Sequence, residues 1–496
     1  MKTAIRSFVV LLALSDVLAA CGGGGSSGAR QGGAGGGGAG EGGGGGGSGG
    51  GGEGNGYTVT YDGNGATVGN VPVDSNNYAR GQSVTVLGNA GDLAYAGYSF
   101  VGWQTKADGS GTTYRAGGTF AMGSANTTLY ALWAGGYAYA VNWSDSNVSQ
   151  YTIGPNGALT PMFTPAVSTG GYDPRYLTVD PSGKYLYVSN YEGVNPYITA
   201  CPNGCGFVSQ FTIGADGSLT SMPTPTFFTS GPYPAGGAVH PTKPWYYVAN
   251  SEWSSVSQNT IGADGALASM TAPTVATQNN PQAIAIDPSG KWAYVADGTS
   301  NYVSQFNIDQ TTGELTSMST PTVATGGYSA WDIKIVSIPS GAYAYVSNYG
   351  GSSSQYASIA QFEIDQTTGM LSPLTPPTVP AGDVNATSIS VHPTGKFAYV
   401  TIGLSSPSAV IAQFKIDQTT GVLVSNGTVS AGGTAAASIA IESSGKYAYA
   451  TSGDSGWGNF SIAQYTIDQT TGALTLMSNP TVKAGYGPSE IVTVGK

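Results

Sequence analysis

From residue 135 to the C-terminus, short apolar runs recur with a period of about 50 residues, and residues 281–323 display one whole unit, PQAIAIDPSGKWAYVADGTSNYVSQFNIDQTTGELTSMSTPTV. Residues 282–287 and 291–296 are largely apolar, β-branched or aromatic, and Asp287-Pro288-Ser289-Gly290 lies between them. Proline presets φ at the second turn position and glycine takes the left-handed conformation after it, so the two runs read as a hairpin. A third run, 303–308, alternates apolar and polar residues; Asp309 to Gly313 breaks it, and 314–318 forms a fourth. Four short antiparallel strands joined by tight turns make one propeller blade.

The third run recurs seven times, from Val148-Ser149-Gln150-Tyr151 to Ile462-Ala463-Gln464-Tyr465. The first unit begins at Tyr137 with no inner strand before it, whereas the chain ends on residues 488–494, an inner strand with no blade after it. Together these halves predict an all-β, seven-bladed ring over residues 135–496, closed by its C-terminal strand so that no sheet edge stays open. In the second strand Tyr185 and Tyr187 share one face while Leu186 and Val188 share the other. Both faces are apolar, as expected of a blade packed between two neighbours, so Tyr294, Tyr345, Tyr399 and Tyr449 are predicted to pack between blades.

Ahead of the ring, residues 57–134 show a different pattern. Strand-like runs lie at 57–61, 83–87, 97–103, 108–114 and 128–133, with Asp62-Gly63-Asn64-Gly65 as a turn. This order resembles the internalin-type, or Listeria–Bacteroides, surface repeat, which implies a small β-grasp-like module of extracellular bacterial proteins. Its aromatics Phe100, Trp103, Tyr130 and Trp133 are expected to form the core of so small a unit rather than a sugar platform.

Residues 1–20 carry Lys2 and Arg6, then an apolar run from 8 to 14, then Leu18-Ala19-Ala20 before Cys21. A basic start, a short apolar core and small residues before a cleavage point describe a secretory signal, too short to span a bilayer permanently. Leu-Ala-Ala-Cys resembles the bacterial lipobox, which implies a mature chain beginning at Cys21 with diacylglyceryl and acyl (palmitate-type) chains, and hence a lipoprotein of the outer membrane or cell surface. Residues 21–56 are almost entirely glycine after the cysteine. Such a segment cannot bury enough apolar area to offset its ordering entropy and reads as a flexible tether, with a root-mean-square reach of roughly 30–35 Å. No strand precedes this glycine run and no Gly-Lys-Ser/Thr ends it, so it is not a phosphate loop.

Composition narrows the chemistry. Only 9% of the residues are charged and the formal net charge is −11. A chain so poor in Lys and Arg has no electrostatic footprint for nucleic acid, and membrane contact is expected only through the lipid on Cys21. Cys201 and Cys205 sit in the long loop 190–206 with no histidine nearby; in an oxidising compartment they are expected to form a local disulfide rather than a zinc site. The two histidines, His240 and His392, replace Asp in the turn after the inner strand and are read as turn acceptors. The Asp-Gln-Thr-Thr-Gly turns supply one carboxylate each, too few for calcium, so neither metal nor cofactor is expected.

Blade connectivity puts the two tight turns on one face and the more varied loops on the other. That varied rim carries Tyr172, Asp173, Arg175, Tyr191, Glu192, Tyr233, Glu252, Trp253, Tyr328, Trp331, Asp332, Trp457, Tyr486 and Glu490, and loops on a rigid scaffold are where binding concentrates. The repeat Asp/His-Pro-Ser/Thr-Gly-Lys-Tyr-x-Tyr-Val-x-Asn with its Gln-Phe-x-Ile-Asp strand resembles the lactonase-type propellers and the related YVTN surface repeats. That group includes 6-phosphogluconolactonase and a muconate cyclase, whose sites use His, Glu and Arg. Arg175 and Glu252 fall where such residues occur, but Thr178 and its neighbours supply no histidine, and Arg175 is the one arginine in residues 135–496. One guanidinium offers little hold on a phosphate, and no rim histidine is present to activate water. The sequence therefore favours a non-catalytic, lipid-anchored surface protein whose rim binds a protein or glycan. The alternatives are an extracytoplasmic lactone hydrolase using Arg175 with Glu252 or Asp332, and an architectural coat component.

Overall fold

A computed structural model describes residues 56–192, 206–350, 356–382, 385–403, 409–453 and 460–496. The leader, Cys21, the glycine tether, Cys201, Cys205 and Trp457 lie outside the described residues, as does the side chain of Glu192. Residues 55–496 form one compact unit whose regular elements are all strands. Seven four-stranded antiparallel sheets make the ring. The inner strands are, from blade one to blade seven, Pro488–Gly495, Tyr172–Val179, Pro234–Val239, Pro281–Ile286, Ala330–Ile338, Ala386–Val391 and Ile439–Ile441. Blade one is closed as expected: Pro488–Gly495 pairs antiparallel with Gly136–Asn142, from Pro488 opposite Asn142 to Gly495 opposite Gly136.

Two side-chain chains run once around the ring and explain residues that recur in every repeat. The tyrosine hydroxyl of each second strand donates to a glycine carbonyl in the following blade's outer turn: Tyr139 to Gly217, Tyr187 to Gly265, Tyr247 to Gly313, Tyr294 to Gly369, Tyr345 to Gly421, Tyr399 to Gly472, and Tyr449 back to Gly157. The third-strand glutamines do the same from the other side. Oε1 of Gln150, Gln210, Gln258, Gln305, Gln361, Gln413 and Gln464 accepts the N–H of Leu219, Leu267, Leu315, Leu371, Leu423, Leu474 and Leu159, at 2.6–2.7 Å. In every blade this glutamine occupies the register shift between the third and fourth strands. A bulge leaves backbone groups unpaired, and the amide satisfies one in its own blade and one in the next; Gln258 Nε2, for instance, donates to Ala272 O at 2.8 Å.

The outer strands differ from expectation. The fourth strand of the opening unit spans Leu315–Ala324 rather than ending at Met318, and continues through Pro321. Proline is tolerated because this is the edge strand, where a missing N–H costs no ladder bond. His240 and His392 hold their turns as predicted: Nδ1 of His240 accepts the N–H of Thr242 and Lys243, and Nε2 of each bonds a glycine carbonyl of the next blade, Gly290 or Gly445.

In residues 57–134, Val59–Asp62 pairs parallel with Thr127–Ala134, which pairs with Ser99–Gln104 and that with Thr113–Tyr114. Trp103 and Trp133 are fully buried and donate their indole N–H to the carbonyls of Leu87 and Gly63, which bears out the core reading. Thr127–Ala134 runs on through Gly135 into the first blade. The module packs on outer strands of blades one and seven, away from the varied loops: Arg115 lies over the Phe163 ring at 4.6 Å, and Asn479 donates to Asp108 at 3.4 Å.

Candidate site at the channel mouth

Six of the seven inner strands enter the channel through the same device. At the entrance one residue is left-handed, in five blades Asp173, Tyr233, Asn280, Ser329 and Asn385 (φ from 51° to 70°) and in the closing strand's blade Gly487. A register shift follows at the first residues of six inner strands. Such bulges re-aim side chains, and here they turn the third and fifth residues of the strand toward the axis. Tyr233, bulky and at φ 55°, occupies a conformation that glycine or asparagine would take more cheaply.

Counted from the aligned positions Pro174, Pro234, Pro281, Ala330, Ala386, Ala436 and Pro488, the third and fifth residues are Tyr176 and Thr178, Gly236 and Ala238, Ala283 and Ala285, Asp332 and Lys334, Ser388 and Ser390, Ser438 and Ala440, and Glu490 and Val492. All but three are small or neutral. The exceptions, Glu490 in blade one and Asp332 with Lys334 in blade five, stand on nearly opposite sides of a seven-membered ring. Asp332 and Lys334, two residues apart on one strand face, form an ion pair at 2.8 Å. The other Asp332 oxygen accepts the N–H of Ile389 in the next inner strand at 3.0 Å. Glu490 likewise accepts the N–H of Leu177. Both carboxylates are therefore fixed by backbone donors of the neighbouring blade, and Lys334 is fixed by Asp332.

Burial inside the ring sets the protonation of these groups. Desolvation raises the Glu490 carboxyl to about 8, assisted by the Asp332 charge and opposed by the Leu177 N–H and the Lys334 ammonium. For Lys334 desolvation acts downward, but Asp332 and Glu490 outweigh it and hold the ammonium above its usual value. Its side chain is 45% exposed, and that exposure is to the channel. Tyr176 is raised chiefly by burial and next by Glu490; burial likewise pushes Tyr246, which stacks on Tyr187, up to about 12. The result is one permanent cation, one carboxyl poised near neutrality and two phenols that stay protonated. The inner-strand register thus adds to the rim residues Lys334, which reading by loops passed over, on the side of the channel nearly opposite Glu490.

The predicted rim residues divide. Arg175 is engaged by its neighbour on the same strand: Asp173 holds its guanidinium, Nη2 donating to Oδ2 at 2.9 Å and Nε lying 2.6 Å from Oδ1 as an ion pair, and the Trp143 ring lies 5.0 Å away. The charge left for a ligand there is small. Tyr191 packs on Tyr233 at 4.8 Å and Trp331 on Tyr349 at 5.0 Å, as walls of the mouth. Tyr172, Trp253, Tyr328 and Tyr486 are exposed on the loops above. Glu252 is exposed, and its charge adds to burial in raising the Tyr191 phenol. No group of three or more metal-ligating side chains occurs among the described residues.

Comparison with known proteins agrees with this architecture. Residues 57–132 match the Listeria-Bacteroides repeat domain. Over 109 residues the chain is 39% identical to a protein of Evansella cellulosilytica named as a membrane protein, covering 22% of this chain and 15% of that one; the chain thus spans less than a sixth of that relative's length. Among solved structures, a 6-phosphogluconolactonase candidate from Bacteroides fragilis superposes with a TM-score of 0.58 at 22% identity, covering 72% of this chain and 98% of the other. The periplasmic gluconolactonase of Pseudomonas aeruginosa does so with 0.58 at 18%, covering 73% and 99%. At these identities the likeness establishes the fold alone. The family described as Lactonase, 7-bladed beta-propeller, matches residues 116–376 and 372–488, most of the chain. The chain belongs to this lactonase family of seven-bladed β-propellers.

Proposed function

We propose that the protein hydrolyses an uncharged lactone at the channel mouth. The observation that carries this reading is the placement of Lys334, held by Asp332, and Glu490 on opposite sides of one channel. Ionised Glu490 takes a proton from water as the oxygen attacks the ring carbonyl carbon. The carbonyl oxygen becomes an oxyanion facing the Lys334 ammonium, and when the ring C–O bond breaks, Glu490 returns the proton to the leaving alkoxide. A phosphorylated substrate is disfavoured, since Asp173 already engages Arg175. Turnover of neutral sugar, aromatic and alkyl lactones should fall at least a hundredfold in Lys334→Met and Glu490→Gln with the melting temperature retained. Full activity in both variants would end the hydrolase assignment.

A second reading rests on the exposed aromatics Tyr172, Trp253, Tyr328 and Tyr486, which suit a non-catalytic rim that binds a glycan or surface protein. Binding of glycans without turnover of any lactone would favour it. In either case we infer that the ring is exported and held at the cell surface by lipid on Cys21, which mass spectrometry of the membrane fraction would detect.

A further inference from the structure

Beyond Lys334 the channel changes character. A cavity of about 400 Å³ runs from Lys334 toward the face opposite the mouth, lined by Ala238, Val239, Ile284, Ala285, Ile286 and Ile335 and bounded by turn prolines. Its bore is lopsided for a simple reason: where blade five presents Asp332 and Lys334 to the axis and blade two presents Tyr176 and Thr178, blades three and four present only Gly236, Ala238, Ala283 and Ala285. The one carboxylate in the wall, Asp287, is committed to its own turn, accepting the N–H of Ser289, Lys291 and Trp292 at 2.8–2.9 Å. A sugar ring placed here would find no side-chain partner for its hydroxyls apart from Lys334, and unpaired polar groups are costly to bury. Hydrocarbon brings no hydroxyls of its own that need partners, and the volume is within the range of small-ligand sites.

We propose that this half of the channel holds the hydrocarbon arm of the substrate, so that the lactone hydrolysed here carries an alkyl chain, with its ring ester at Lys334 and Glu490. This rests on the hydrolase reading and narrows it to one substrate class. The test is a series of γ-lactones bearing methyl to octyl substituents, followed by kcat/KM on the intact protein and by calorimetric binding to the Glu490→Gln variant. Burial of each methylene is expected to raise kcat/KM and affinity about fourfold until the cavity is filled. Ala238→Phe and Ala285→Phe, which fill the cavity, should erase that gain with the melting temperature retained; if they unfold, the wild-type series decides alone. A flat series with sustained turnover overturns the alkyl arm and leaves the hydrolase intact. Length-graded binding without turnover of any lactone supports the arm site and sinks the hydrolase, and the absence of both sinks the two together.

Discussion

Asp297 offers a direct measure of how dry the blade interiors are. It ends the second strand of blade four, where Asn142, Asn190, Asn250 and Asn348 stand in other blades, and it is fully buried. Asn142, Asn190 and Asn250 donate from Nδ2 to a third-strand serine at 2.8–2.9 Å; Asp297 instead accepts from Ser304 at 2.7 Å, and its Oδ1 has no hydrogen-bond partner among the described residues. Desolvation raises its carboxyl from 3.8 to about 7, against the Ser304 and Thr277 hydrogen bonds. The folded chain thus binds this proton more tightly than the unfolded chain, so stability is lost as pH rises from about 4 to about 7 and is flat above. At about 1.4 kcal/mol per pKa unit, a shift of about 3 units bounds the loss at roughly 4 kcal/mol. Asp297→Asn restores the donor to Ser304 and removes the charge. Urea denaturation of the intact protein and the variant at pH 4, 6 and 8 should show the variant about 2–4 kcal/mol more stable at pH 8, the gain vanishing by pH 4. A variant that is less stable at pH 8 would refute the reasoning, because it would mean that the ionised carboxylate is needed.

Glu490 predicts a kinetic counterpart: if it is the base, kcat/KM for lactone hydrolysis rises with pH and levels off above about 8, and a profile that falls through that range would exclude it from that role. Deletion of residues 488–496 removes the inner strand of blade one and exposes the edge of Gly136–Asn142, so the melting temperature should drop sharply by calorimetry; an unchanged melt would contradict strand closure. Gln258→Ala leaves the Leu315 N–H and the Ala272 carbonyl without their partners and should cost about 2–4 kcal/mol in denaturant titration, whereas a neutral effect would mean that water replaces the amide.

The ring was legible in the sequence because its repeat states the same instruction seven times. Turn chemistry at Asp287-Pro288-Ser289-Gly290 and alternation in each third strand marked the strands, and the orphan inner strand at the C-terminus marked the closure. The glutamine of each third strand was visible as a recurrence but not as a device, since its partner leucine lies 57–69 residues away for most blades and 305 for the closing pair. The length of the outer strands was hidden by their prolines, which forbid an interior strand yet fit an edge.

The site was harder to read because chemistry here depends on register rather than on motif. Asp332 and Glu490 were recognisable as rim acids, yet Arg175 drew attention as the lone arginine of the ring while its charge is matched by Asp173 two residues earlier. Lys334 resembles any surface lysine until the inner strands are aligned with one another. Aligned, its position holds Thr178, Ala238, Ala285, Ser390, Ala440 and Val492 in the other blades, and one ammonium stands out against a neutral ring. A repeat scaffold therefore announces its function by exception. Identical positions build the blades, so an axis-facing residue that breaks the pattern and pays a desolvation cost, as Lys334 and Glu490 do, is under a demand that packing does not explain.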